Sequence, residues 1–159
     1  MRRVPINRLK RSALPLSVAA VVIALDVLTK TWARHALATG SQHVVGPLSW
    51  QLSYNAGVSF SFGQSEPVVA NVLSLVALCL VTMAVLRSRP GAPGVGLGLV
   101  LGGGVANMAD RLSSTSRQVT DFIAVGRFPI FNVADAAITI GVAVLVVLLV
   151  TGRSVLVPR

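Results

Sequence analysis

Acids, cysteine and aromatics are all scarce in this chain. Of its 159 residues five are acidic and one is cysteine, and aromatics make up 5%. A lone Cys79 cannot close an internal disulfide or build a thiolate metal site, and within an apolar run it reads as a packed core residue. Lys and Arg number 14 and the net charge is +9, which raises the question of nucleic acid. Yet no basic run is interleaved with aromatics, so a base-stacking platform or basic groove is excluded. His35 and His43 have no cysteine or carboxylate at ligand spacing, which disfavours zinc. No serine stands in a nucleophile-elbow pattern. Gly102, Gly103 and Gly104 lie inside an apolar run rather than after a strand, which argues against a phosphate-cradling loop.

Apolar residues fill what is left. They make up 53% of the chain against 12% charged, and the mean hydropathy is +0.76. That balance belongs to a chain solvated by lipid, and the length suits one domain. Four runs approach the roughly 20 residues that a helix needs to cross a hydrocarbon core: about 12–35, 67–86, 94–112 and 130–151. The first follows a basic leader, as a secretory signal would, but it continues through Asp26 and Lys30 without a small-residue cleavage site. A retained helix is expected. The leader has five basic residues, residues 36–86 have none, and Arg87, Arg89, Arg153 and Arg159 follow. By the positive-inside rule both termini are cytoplasmic, with residues 36–66 and 113–129 outside. Arg117 and Arg127 weaken the asymmetry without reversing it. The expected fold is an all-α membrane protein of four transmembrane helices, with a small extracytoplasmic β-rich loop region after helix one. The β expectation rests on the partial alternation in Val44–Phe62 and on a turn at Asn55-Ala56-Gly57. The final L-V-P-R, residues 156–159, matches the remnant of an expression tag and receives no weight in the fold.

The acids then become informative. Asp26, Asp110, Asp121 and Asp135 lie inside or beside apolar segments, and this topology brings all four to the outer interface. Asp26 and Lys30 are one helical turn apart, either as a structural ion pair or as part of the chemistry. Asp110 and Arg111 form a possible helix-end pair, and Asn107 a polar crosslink. Asp121 and Asp135 bracket the last connection, with no neighbouring lysine to neutralise them; Arg127 could do so, but it lies in the loop between them. Brought together at a low-dielectric boundary, two carboxylates cannot both ionise easily, so they can share a proton and act as general acid and base. The plainer alternative is a turn residue and an acid favoured by a helix N-terminus. An ion-coupled transporter would need polar groups at several depths, and the inner halves of these helices are almost purely apolar. An assembly protein packed through the glycine-rich third run would leave the two acids unexplained.

Five segments in order carry a resemblance: D-V-L-T-K (Asp26–Lys30), Y-N-A-G-V-S-F-S-F (Tyr54–Phe62), G-G-V-A-N-M-A-D-R (Gly103–Arg111), V-T-D-F-I (Val119–Ile123) and F-N-V-A-D (Phe131–Asp135). The chain resembles the lipoprotein signal peptidases, or signal peptidase II, which are aspartic peptidases of bacterial membranes. The resemblance implies a hydrolase of the bacterial cytoplasmic (inner) membrane that cleaves diacylglyceryl-modified prolipoproteins just before the lipidated cysteine. It implies Asp121 and Asp135 as the catalytic pair. Asp26, Lys30, Asn55, Gly57, Asn107, Asp110, Arg111, Asn132 and Ala134 take the positions that bind substrate or support the site. It calls for no metal or cofactor. Prolipoprotein substrates and membrane lipid are the expected partners, nucleic acid is not, and a monomer is the expected state. The first outer loop is a candidate lid. Ser59 and Ala106 depart from the family's usual Ala and Gly, and both are small.

Overall fold

In the computed structural model, which describes residues 8–55 and 67–157, pairs of short strands lie between helices. The order is α1 (Arg8–Ala36), β1 (Gln42–Val45), β2 (Leu48–Asn55), α2 (Pro67–Leu86), α3 (Ala92–Ser113), β3 (Val119–Val125), β4 (Phe128–Phe131) and α4 (Val133–Val150). The four expected helices are present. Ser12–Ala36, Ala92–Ser113 and Val133–Val150 are long and apolar enough to cross a membrane, and Asn71–Leu86 is a shorter apolar part of α2. Burial is inverted relative to a water-soluble protein. Leu28 and Leu149 are 66% and 63% exposed, whereas Asp26 and Lys30 are 1% and 2% exposed. In water each exposed leucine would forgo roughly 2 kcal/mol of burial, but against hydrocarbon it forgoes nothing. Cys79 follows the same logic. It lies exposed on α2 and not in the core, because that helix turns much of its apolar side outward.

Helix α3 is the shared partner, packed against α1, α2 and α4. Its glycines let the backbones meet. A Cβ on Gly102 would come within 2.8 Å of the Ala19 backbone on α1. Gly141 on α4 answers from the other side, where a Cβ would stand 2.7 Å from the Gly96 carbonyl. With no hydrophobic drive between helices in lipid, such close approach supplies the packing energy.

The strands form one antiparallel sheet in the order β1-β2-β3-β4. The β-rich region expected after helix one is present as β1 and β2, and the sheet extends beyond it. Half the sheet comes from the connection between α3 and α4, where β3 and β4 form a hairpin. Gly126 takes φ +54° in its turn and donates to the Pro47 carbonyl at 2.9 Å. The last helix accordingly starts at Val133, not near Ile130. Pro129 lacks the N–H an inner strand would need, and it sits on β4 at the sheet's edge. Because β2 pairs with β3, both connections gather at one end of the bundle. At the other end the residues after α4 return to the turn between α2 and α3. Arg89 N–H donates to the Val155 carbonyl and Val157 N–H to the Arg87 carbonyl, both at 2.9 Å, and Val155 packs on the core.

Replacing Gly102 with valine forces α1 and α3 apart, with an expected loss of about 1–3 kcal/mol. Thermal unfolding in detergent should show a clear fall in Tm, whereas alanine at lipid-facing Leu149 should change it little. Equal effects at the two positions would refute the close-approach account.

Candidate active site

Four elements each bring a polar side chain to the sheet end of the bundle. Strand β3 carries Asp121, opposite Ser53 on β2, and Asn55 lies two residues along β2 from Ser53. With the two-residue strand period, Asn55 and Asp121 share a face, and Asn55 Nδ2 donates to Asp121 Oδ2 at 3.3 Å. The next side chain, Phe122, points the opposite way. It packs with Trp32 of α1 and Trp50 of β2, each at 6.2 Å between ring centroids. One face of β3 thus anchors the sheet on α1 while the other presents the acid.

Asn132 begins α4. Its Oδ1 accepts from Asp135 N–H at 2.9 Å, and the Asp135 carboxylate accepts from Asn132 N–H at 3.2 Å, completing a capping box. The Asn132 amide then reaches sideways, with Nδ2 donating to Asp121 Oδ1 at 2.6 Å. A single residue therefore joins the two acids that were predicted as a pair. Asp135 sits in the first turn of α4, where the helix dipole favours negative charge. Asn107 of α3 supports it, with Nδ2 donating to Asp135 Oδ1 at 2.8 Å.

Behind this lies a buried charge network. Lys30 contacts Asp26 at 2.7 Å, donates to Asn107 Oδ1 at 2.9 Å and stands 3.5 Å from Asp110. Asp26 also accepts from the Ala134 N–H at 2.9 Å, satisfying another of the unpaired donors of α4. Ala134 itself is fully buried, so its contributions are a backbone donor and small size. Asp110 corrects the expectation of a pair with Arg111. It is held by Arg34 and Lys30 and accepts from Thr120 N–H at 2.7 Å. Neighbours in a helix do not face each other. Arg111 instead borders the cavity and interacts electrostatically with Asp135 and Asp121 more strongly than with Asp110. Gly57 and the remainder of its loop, including the candidate lid, lie outside the described residues. Arg34 and Thr120 are the two residues that sequence reading missed. The signal for Arg34 was present, since Asp26, Lys30 and Arg34 recur every four residues along one helical face.

Asp121 and Asp135 open into a cavity of about 570 Å³. Asn55, Asn107 and Arg111 form its polar end. Leu78, Val81, Val100, Ile138 and Phe131 continue it as an apolar slot among α2, α3, α4 and the hairpin. This arrangement can hold a chain with a long apolar part against a small polar centre. Burial, with the Asp135 carboxylate adding to it, pushes the Asp121 carboxyl up to about 6, against the opposing hydrogen bonds from Asn132 and Asn55.

A raised acid has a definite effect on stability. The folded chain keeps this proton over a range where the unfolded chain has lost it, so stability is highest on the acid side. It falls as pH rises from the ordinary 3.8 toward about 6. Asp121→Asn removes that loss. The variant's Tm in detergent is expected to exceed the parent's at pH 7, with the gap narrowing at pH 4. A gap that does not change with pH would contradict the burial account.

The signal peptidase (SPase) II family model matches residues 18–151. The lipoprotein signal peptidase of Mycobacterium avium is 38% identical over 152 residues, covering 90% of this chain and 82% of that one. That of Mycobacterium leprae is 34% identical over 149 residues, covering 90% and 74%. A solved bacterial membrane enzyme superposes with a TM-score of 0.76 at 24% identity, over 86% of this chain and 87% of that one. The fold is thus shared with a membrane enzyme, and the chain belongs to the signal peptidase II family.

Proposed function

We propose that this chain is a membrane aspartic endopeptidase that removes signal peptides from diacylglyceryl-modified prolipoproteins, cutting just before the lipidated cysteine. One observation carries the reading: Asn132 binds both Asp121 and Asp135 at the polar end of an otherwise apolar slot. Family membership supports the substrate class, and the slot suits a substrate that is part lipid and part apolar peptide. The sheet end of the bundle is the extracytoplasmic face. Supporting this, Arg87, Arg89 and Arg153 lie at the opposite end, beyond α2 and α4.

In the mechanism, water lies between the two carboxylates. Asp135, ionised, takes a proton as the water oxygen attacks the scissile carbonyl carbon. Asp121 holds the shared proton, as its raised value suits, and gives it to the carbonyl oxygen. The resulting diol collapses, the C–N bond breaks, and the proton on Asp135 passes to the leaving nitrogen while Asp121 recovers its own. Arg111 and Asn55 hold the substrate backbone or lipid head region. Lys30, through Asn107, keeps Asp135 oriented.

The test is cleavage of a lipid-modified precursor by purified protein in detergent. Asp121→Asn and Asp135→Asn are each expected to lower kcat by at least about a hundredfold. For the parent, kcat/KM is expected to fall as pH rises through about 6, where Asp121 loses its proton. Processing at the parent rate by either variant would sink the dyad assignment.

A further inference from the structure

We infer that Arg34, which lies outside every motif carrying the family resemblance, is a positioning residue that fixes Asp121 by clamping its neighbour Thr120. The inference rests on the dyad reading above and extends it. Thr120 is 1% exposed, and each of its polar groups is bound by a different helix or helix cap. Its N–H donates to Asp110 Oδ2 of α3 at 2.7 Å. Its hydroxyl accepts from Arg34 of α1, from Nε at 3.1 Å and Nη2 at 2.8 Å. Its carbonyl accepts from Asn132 Nδ2, at the start of α4, at 3.4 Å. Arg34 closes the ring by pairing with Asp110. Three parts of the bundle therefore converge on the residue before Asp121, and Asn132 grips both of them.

The guanidinium matters because its planar fork reaches a hydroxyl and a carboxylate together, which a lysine ammonium does not reproduce. Arg34 is not among the residues bordering the cavity, so it acts through Thr120 and not on substrate. Without it the buried hydroxyl loses both of its arginine donors. The sheet pairing and the Phe122 anchor still hold β3 as a strand, but at Thr120 itself only the Asp110 and Asn132 contacts then tie the strand to α3 and α4. A displacement of the order of 1 Å at a reacting group can cost about a hundredfold in rate.

The experiment compares purified variants on a lipid-modified precursor, with Tm followed alongside. Arg34→Gln and Thr120→Val are each expected to lower kcat about tenfold or more while KM stays within about twofold. Because both break one clamp, the double variant should be no slower than the slower single. Thr120→Ser should restore the rate, whereas Arg34→Lys should keep the Tm and lose the rate. Multiplying losses, a rise in KM with kcat unchanged, or an Arg34→Gln rate equal to the parent's would overturn the inference. If Arg34→Gln fails to fold, Arg34→Lys decides by the same criteria. Asp121→Asn separates the two ideas. If it stays active, the dyad reading fails whatever Arg34 does. If it is inactive while Arg34→Gln is unimpaired, the dyad stands and the clamp falls.

Discussion

Everything at the polar end of this bundle depends on how Asn132 is spent. It caps α4 through Oδ1, holds Asp135 through its backbone N–H and holds Asp121 through Nδ2. A helix cap alone would be worth about 1 kcal/mol. Here the same side chain ties the start of one helix to a strand from the preceding hairpin and leaves two acids together. Fully buried, it has no water to fall back on, so any rearrangement of either acid leaves a donor or acceptor unsatisfied.

The second constraint is the cost of charge in an apolar surround. Asp26 and Lys30 are almost wholly buried, and isolated charges there would be untenable. Each is satisfied more than once. Lys30 serves Asp26, Asn107 and Asp110, while Asp26 serves Lys30 and the α4 backbone. This network reaches the cavity through Asn107, which binds Asp135, and through the charge of Lys30. It holds α1, α3 and α4 in the relation that the two acids require, much as the glycines of α3 hold the same helices in contact.

The four helices were legible because long apolar runs register strongly in any hydropathy window, and the grouping of the acids followed from topology. The β3–β4 hairpin was not. Its seven- and four-residue strands are too short to stand out beside the adjoining apolar run, and Ile130–Phe131 reads equally well as the start of a helix. Asn55, Asn107, Asn132 and Ala134 were found through motif order, and their contacts supply the physical reasons. Asp110 was misread because adjacency in sequence was taken for a contact, whereas a helix turns neighbours away from each other. Arg34 was missed since its partners, Asp110 and Thr120, come together only once the sheet docks on the bundle. Cys79 was taken for core because in a lipid-solvated chain apolar does not mean inward.

The central claim is that two carboxylates, joined by Asn132, activate water without becoming covalently attached to the substrate. A single turnover in H₂¹⁸O with enzyme in excess tests it directly, by mass spectrometry of the released signal peptide and of enzyme fragments bearing Asp121 and Asp135. The account expects one ¹⁸O in the new peptide carboxyl and none in either aspartate. Label appearing in Asp121 or Asp135 would mean that the aspartate itself attacked the substrate, contradicting the account.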